Sequence, residues 1–281
     1  HHRAHAWSVV AEHRISKPAI AVIYDGTGLG DDGKIWGGEF FLVNPATGEC
    51  KRIGHLREIV QPGGDSSAVH IKRMALAYLL QSFGSFDKIP KIPIIEQMSS
   101  LEIDAIVKIF ERNRPPITTS VGRLFDAVAS ITSVVYENEF EAKAPMVFEA
   151  KACNLASDNL FSQKSYEFEI CEDGNGLKTL DFARTIRDIC DDVLMEKPVE
   201  IISARFHRTI TEATAELIEY FCEKFDTDTV LLSGGVFQNR LLLEMMKKRL
   251  SSGIELKFPL RNPANDQGIA LGQAYWASLF G

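Results

Sequence analysis

The stretch that decides the fold is Ala19-Ile-Ala-Val-Ile-Tyr-Asp25-Gly-Thr-Gly-Leu-Gly-Asp-Asp-Gly33. Its first six residues are a near-continuous apolar run of strand length, the pattern of a buried strand. The run ends on a carboxylate and an acidic, glycine-rich loop over 25–33. Two more strands are expected at 35–43 and 49–53, around a turn at Asn44-Pro45-Ala-Thr-Gly48. Upstream, 1–13 reads as a helix, broken at Ile15-Ser-Lys-Pro18. Downstream, helical periodicity marks 72–83, 101–112 and 122–132, with an N-cap region at Ser100. Residues 153–178 are mixed and polar, and Asp173-Gly-Asn-Gly176 suggests a hairpin turn. Helices follow at 179–195 and 201–225. The second carries an apolar stripe of Phe206, Ile210, Ala213, Leu217 and Phe221. Short strands at 229–232 and 254–258 flank the turn Ser233-Gly234-Gly235 and a helix over 236–250, and a helix at 268–279 ends the chain. The alternation is α/β, and ligands in such sheets sit at the loops beyond strand ends.

The chain has 281 residues, of which 45% are hydrophobic and 25% charged. That is long enough for a full core, with two lobes around a cleft. No apolar run of about 18 residues occurs, so no transmembrane helix is expected. A net charge of -7 argues against a broad nucleic-acid surface. The five cysteines, Cys50, Cys153, Cys171, Cys190 and Cys222, form no CxxC pair. They read as reduced thiols in a cytoplasmic protein. There is no signal-peptide pattern, and a first residue of His1 rather than Met suggests a cut chain or a fragment.

Four constellations carry chemistry. His1 and His5, four apart on a helix, share a face and can converge on one metal ion, although an HxxxH pair alone is often accidental. Asp25 at the end of a buried strand needs a partner, whereas Asp266 in Asn265-Asp266-Gln267-Gly268 could be a plain N-cap. Two imidazoles with two carboxylates would suit zinc or ferrous iron. The loop 25–33 is neither a P-loop nor a dinucleotide fingerprint. Its glycines could let backbone N–H groups approach phosphate, or it could simply be a hairpin turn. Ser233-Gly234-Gly235-Val-Phe-Gln-Asn239-Arg240 is either an ordinary strand-to-helix turn or a seat for a ring or an anion at a helix N-terminus. Arg123 and Asp126 are a helical salt bridge or, for Asp126, a ribose contact. His207 reads as a packed side chain rather than a catalytic one.

Taken in order, HHRAHA, DGTGLGDDGKIWGGE, PGGD, GRLFDAVAS, LSGGVFQNRLLL and NDQGIALGQA resemble the C-terminal domain of the HypF family. These are the carbamoyltransferases of NiFe-hydrogenase maturation, related to the TsaD enzymes within the actin/hexokinase/Hsp70-like ATP-binding superfamily. The resemblance implies a two-lobed fold. Residues 1–24 and 263–281 would form the remainder of a first lobe, incomplete here, and 25–262 a second lobe with the nucleotide loops. It implies transfer of a carbamoyl group from carbamoyl adenylate, made from carbamoyl phosphate and ATP, to the C-terminal cysteine of a HypE-like partner, for cyanide ligand synthesis. YrdC-like and acylphosphatase-like domains would lie upstream. By motif position, His1, His5, Asp25 and Asp266 would hold a divalent metal, zinc or iron, with Mg accompanying ATP. Gly26, Thr27, Gly28 and Gly30 would approach phosphates, Gly234, Gly235 and Asn239 would flank the nucleoside, and Asp126 would reach the ribose. No catalytic residue is implied beyond that site, and no nucleic-acid or membrane partner. The chain departs from the family pattern at His70-Ile71-Lys72, at Ala142 and at Gln267. Those departures motivate the alternatives: a TsaD-like or O-carbamoyltransferase with another acceptor, or a decayed nucleotide-binding or docking module.

Overall fold

In the computed structural model, which describes residues 1–112, 115–250 and 253–281, the apolar run is an inner strand of a nine-stranded mixed sheet. The strands are β1 (Ala19–Leu29), β2 (Ile35–Asn44), β3 (Glu49–Leu56), β4 (Ile59–Val60), β5 (Ile117–Thr118), β6 (Glu169–Glu172), β7 (Lys178–Asp181), β8 (Thr229–Ser233) and β9 (Glu255–Lys257). Their order is β6-β7-β3-β2-β1-β8-β9, with β5 beside β2 and β4 beside β5. β2 runs antiparallel to β1 and β3, while β8 runs parallel to β1 and β9. The class is α/β, as expected.

Strand alternation commits both faces of β1. Ile20, Val22 and Tyr24 enter a large core under the helices Lys72–Phe83, Val121–Ile131 and Val199–Phe225. Ala19, Ala21 and Ile23 face the helix His2–His13, which contributes Trp7, Val9 and Val10, and the last helix, Ile269–Phe280, packs against that one. Each large aliphatic side chain buried this way is worth about 1.5–3 kcal/mol. The two helices therefore belong to the sheet they cover.

Several expectations need correcting. The expected lobe boundary at 24/25 falls inside β1, whose ladder with β8 spans Ile20 to Ile23. β1 itself runs on to Leu29, because Gly28 and Leu29 pair with Trp36 and Ile35, so the acidic loop shrinks to a hairpin turn. The N-cap of the helix Ser100–Phe110 is Ser99, in a capping box with Glu102. The hairpin around 173–176 is present as β6 and β7, but β7 takes 179–181 from the expected helix, which starts at Ala183. The expected helix over 236–250 opens with a 3-10 turn, Gly235–Gln238, and turns α-helical only from Arg240 to Arg249. The helix Lys143–Cys153 has no counterpart among the expected elements.

The two terminal helices meet at Gly272. A Cβ there would lie 1.9 Å from the carbonyl oxygen of Ala4 and 2.7 Å from the amide nitrogen of Ser8. Gly272→Ala must push the helices apart, and overpacking of this kind costs about 1–3 kcal/mol. Thermal unfolding of the variant should show a midpoint lowered by several degrees, and an unchanged midpoint would refute this packing.

Candidate metal and nucleotide site

Asp25 lies where β1 and β2 lose register, between the pairs Tyr24–Gly38 and Gly28–Trp36. Such a bulge re-aims a side chain out of the pleat. The carboxylate then faces two ways. Oδ1 accepts from the amides of Gly26 (2.9 Å) and Gly235 (3.2 Å). Oδ2 faces Nε2 of His1 at 3.1 Å and Nε2 of His5 at 3.2 Å. Burial opposes ionisation of Asp25, but hydrogen bonds from His1 and His5 outweigh it and hold the carboxyl well below its ordinary range. The hydrogen bond to Asp25 in turn raises His1 above the ordinary imidazole range, against the effect of burial.

Asp266 completes the group. Its Oδ1 is 3.5 Å from Nε2 of both His1 and His5. The N-cap here is Asn265, whose side chain accepts from the Gln267 amide, so the Asp266 carboxylate is not the cap. One donor atom from each of His1, His5, Asp25 and Asp266 lies within 4.8 Å of the others. A tetrahedral ion with bonds of about 2.1 Å sets its donors about 3.4 Å apart, so these N–O separations fit. His5 supplies a further sign: it is fully buried, its Nε2 meets only the carboxylates of Asp25 and Asp266, and its Nδ1 has no hydrogen-bond partner. A buried imidazole so poorly paired is costly unless an ion takes the Nε2 lone pair. These residues would hold a divalent metal, with the exposed Asp266 on the open side.

Two of the residues expected to approach phosphate are glycines that packing also requires. A Cβ on Gly28 would lie 2.4 Å from ring atoms of both His1 and His2, and one on Gly30 would meet the Trp36 ring at 2.2 Å. Gly26 donates to Asp25, and Thr27 sits in the register shift. The backbone of 25–33 is a hairpin. Gly234 has φ +99, and a Cβ would sit 2.2 Å from the Tyr24 carbonyl oxygen, so only glycine fits. Its amide donates to the carbonyl of Ala264, tying this turn to the loop that carries Asp266.

The expected anion seat at the next helix is already filled. The amide of Leu242 donates to Asn239 Oδ1 and that of Leu241 to Glu149. Those two amides are therefore spoken for, one of them by a carboxylate. Asp126 is fully buried; one oxygen accepts from Asn138 and the other pairs with Arg123 at 3.1 Å. The helical salt bridge is thus formed, and Asp126 faces no solvent.

Two contributors escaped the sequence reading. Ser120 Oγ contacts the carbonyl oxygens of Asp25 (2.7 Å) and Gly26 (2.8 Å) and accepts from the Arg123 amide, so one N-cap pins the bulge. The Asp25-proximal GRLFDA motif could have signalled it, since a serine stands at the N-cap position. Glu12 accepts from the amides of Leu260 and Arg261, fastening the 258–262 segment to the helix that bears His1 and His5. No spacing in the sequence announces that contact.

Zinc affinity, measured by competition with a chromophoric chelator, should fall in Asp25→Asn by more than the roughly 10–100-fold that outer partners of a metal cost. It should rise with pH as the His1 proton is displaced. Wild-type affinity in Asp25→Asn would overturn the ligand set.

Comparison with known proteins places these residues in a family. Residues 21–273 match the family described as "Carbamoyltransferase, Kae1-like Domain, second subdomain". Carbamoyltransferase HypF2 of Cupriavidus necator is 33% identical, over 99% of this chain and 36% of its own length. Carbamoyltransferase HypF of Rhizobium leguminosarum bv. viciae is also 33% identical, over 99% of this chain and 34% of its own. A crystal structure of full-length HypF in the phosphate- and nucleotide-bound form superimposes with a TM-score of 0.88 and 35% identity, over 100% of this chain and 36% of that one. The chain thus spans about a third of the length of the relatives it matches. The fold is the Kae1-like one, within the actin/hexokinase/Hsp70-like class expected from the motifs.

Proposed function

Because this chain belongs to the Kae1-like carbamoyltransferase family of HypF, we propose that it performs the carbamoyl-transfer step of a larger HypF-type enzyme. The donor would be carbamoyl adenylate and the acceptor the C-terminal cysteine of a HypE-like protein. The observation that carries this reading is the meeting of His1, His5, Asp25 and Asp266 at the Gly234–Gly235 turn, joined through Asp25 Oδ1. A decayed docking module has no reason to keep four such donors together, three of them on buried or half-buried side chains.

A divalent metal bound there would neutralise charge on the leaving phosphate and polarise the acyl oxygen. The chain's own residues do the rest. Asp25 fixes the imidazoles and the glycine turn at once, and the Ala264–Gly234 bond keeps the loop with Asp266 beside that turn. The acceptor thiolate attacks the carbamoyl carbon. A C–S bond forms, the C–O bond to the phosphate breaks, AMP departs, and the thiol proton goes to solvent. The thiol belongs to the partner on this reading. Burial pushes Cys50 and Cys190 up to about 12 and Cys222 to about 11, far from a reactive thiolate. The role is cytoplasmic on this reading, and no helix among the described residues is long and apolar enough to cross a membrane.

The test supplies the full protein with carbamoyl phosphate, ATP, zinc and a HypE-like acceptor, and reads thiocarboxamide on the acceptor by mass spectrometry. Wild type should modify the acceptor cysteine. Asp266→Ala should fall by at least about a hundredfold, the order expected when a key electrostatic group is lost. An acceptor modified equally well by Asp266→Ala would sink the reading.

A further inference from the structure

His207 is a buried titratable group that the proposed step does not use. It lies in the middle of the helix Val199–Phe225, fully buried. Its hydrogen bonds define its state. The Leu242 amide can only donate, so the Asn239 atom 2.8 Å away is Oδ1. Nδ2 of Asn239 therefore faces His207 Nε2, at 2.9 Å, and that nitrogen must accept. The imidazole proton is then on Nδ1, which donates to the Ser203 carbonyl at 2.8 Å. An imidazolium would set N–H against N–H at Asn239. Burial agrees with this assignment, pushing His207 down to about 4. The ring is held on its other sides by Phe125 at 5.3 Å and Phe148 at 6.0 Å between centroids. Those two come from the helices Val121–Ile131 and Lys143–Cys153, so His207 joins three helices to the end of the 234–239 turn.

We propose that His207 is a positioning residue for the nucleoside side of the site: as a neutral Nδ1–H imidazole it fixes the Asn239 amide, and through it the turn that begins at Gly234. This rests on the reading that Gly234, Gly235 and Asn239 flank the nucleoside. His207 touches none of the four donors around Asp25, so its loss should be felt more at the nucleotide than at the metal.

The experiment measures ATP affinity by calorimetry and zinc affinity by chelator competition on the full protein, for wild type, His207→Gln, His207→Leu, Asn239→Ala and the His207→Leu/Asn239→Ala double variant. Gln can still present an acceptor to Asn239; Leu cannot. His207→Leu should weaken ATP about tenfold, the order of one hydrogen bond's worth of ordering, with a smaller change in zinc affinity. His207→Gln should stay near wild type, and the double variant should be no weaker than the worse single one. If His207→Leu does not fold, the imidazole 15N resonances of wild type and Asn239→Ala still decide. They should show the neutral Nδ1–H tautomer near pH 6 in wild type and a mixture of the two neutral tautomers once Asn239 is truncated. Loss of ATP binding in Asn239→Ala but not in His207→Leu overturns the positioning role and leaves the nucleotide reading standing. Wild type that binds zinc but not ATP overturns both.

Discussion

The arrangement depends on one buried carboxylate. Asp25 ends an apolar strand, where an isolated charge would cost far more than a fold can spare. It is kept because every lone pair has a partner and because the partners come from distant parts of the chain. Two imidazoles arrive from the N-terminal helix, one amide from the turn after β8 and one from the next residue. Ser120 holds the backbone of the same bulge from the start of a further helix. An oxygen turned toward the imidazoles and an oxygen turned toward the glycine turn make a single residue the hinge pin of both halves of the site.

Such convergence needs backbones that come very close. The terminal helices touch through Gly272, and the bulged strand passes under the His1 and His2 rings at Gly28. His2 itself is buried with both ring nitrogens unpartnered, and burial next to His1 holds it down near 3, neutral. Its neutrality matters to the neighbouring ligands. A second charged ring beside His1 would work against any positive ion the cluster could receive.

Much of this was legible in the residues. The apolar run 19–24, the HxxxH pair and the strand–turn–helix punctuation at 233–235 are strong local signals, and the four donors do meet. What was not legible was tertiary. Nothing local says that residues 25–29 continue a strand, because their pairing is set by Trp36 and Ile35 across the hairpin. Nor could spacing reveal that Glu149 already occupies the helix start at 240, or that Asp126 is consumed by Arg123 and Asn138. The glycines were read for ligand approach, but they answer first to neighbouring side chains. Local pattern names the candidate residues, and only packing decides which atoms remain free for a ligand.

Asp266 shows how packing decides. It is the most exposed of the four donors, on a loop rather than a regular element, and a ligand so placed would ordinarily wander. The chain restrains it from both sides. Before it, Glu12 gathers the amides of Leu260 and Arg261, and His13 bonds the Phe258 carbonyl. Burial works against the Glu12 charge, but those amides outweigh it and hold the carboxyl below its ordinary range, so the clasp stays ionised at neutral pH. Immediately before it, Asn265 caps the turn over 266–268 and Ala264 accepts from Gly234; after it, the last helix packs on the first at Gly272. The first helix thus carries two ligands at its start and the fastening for a third at its end. An ion drawn to the imidazoles would find Asp266 already within reach, and a displacement of the last helix would be felt at the Gly234 turn as much as at the four donors.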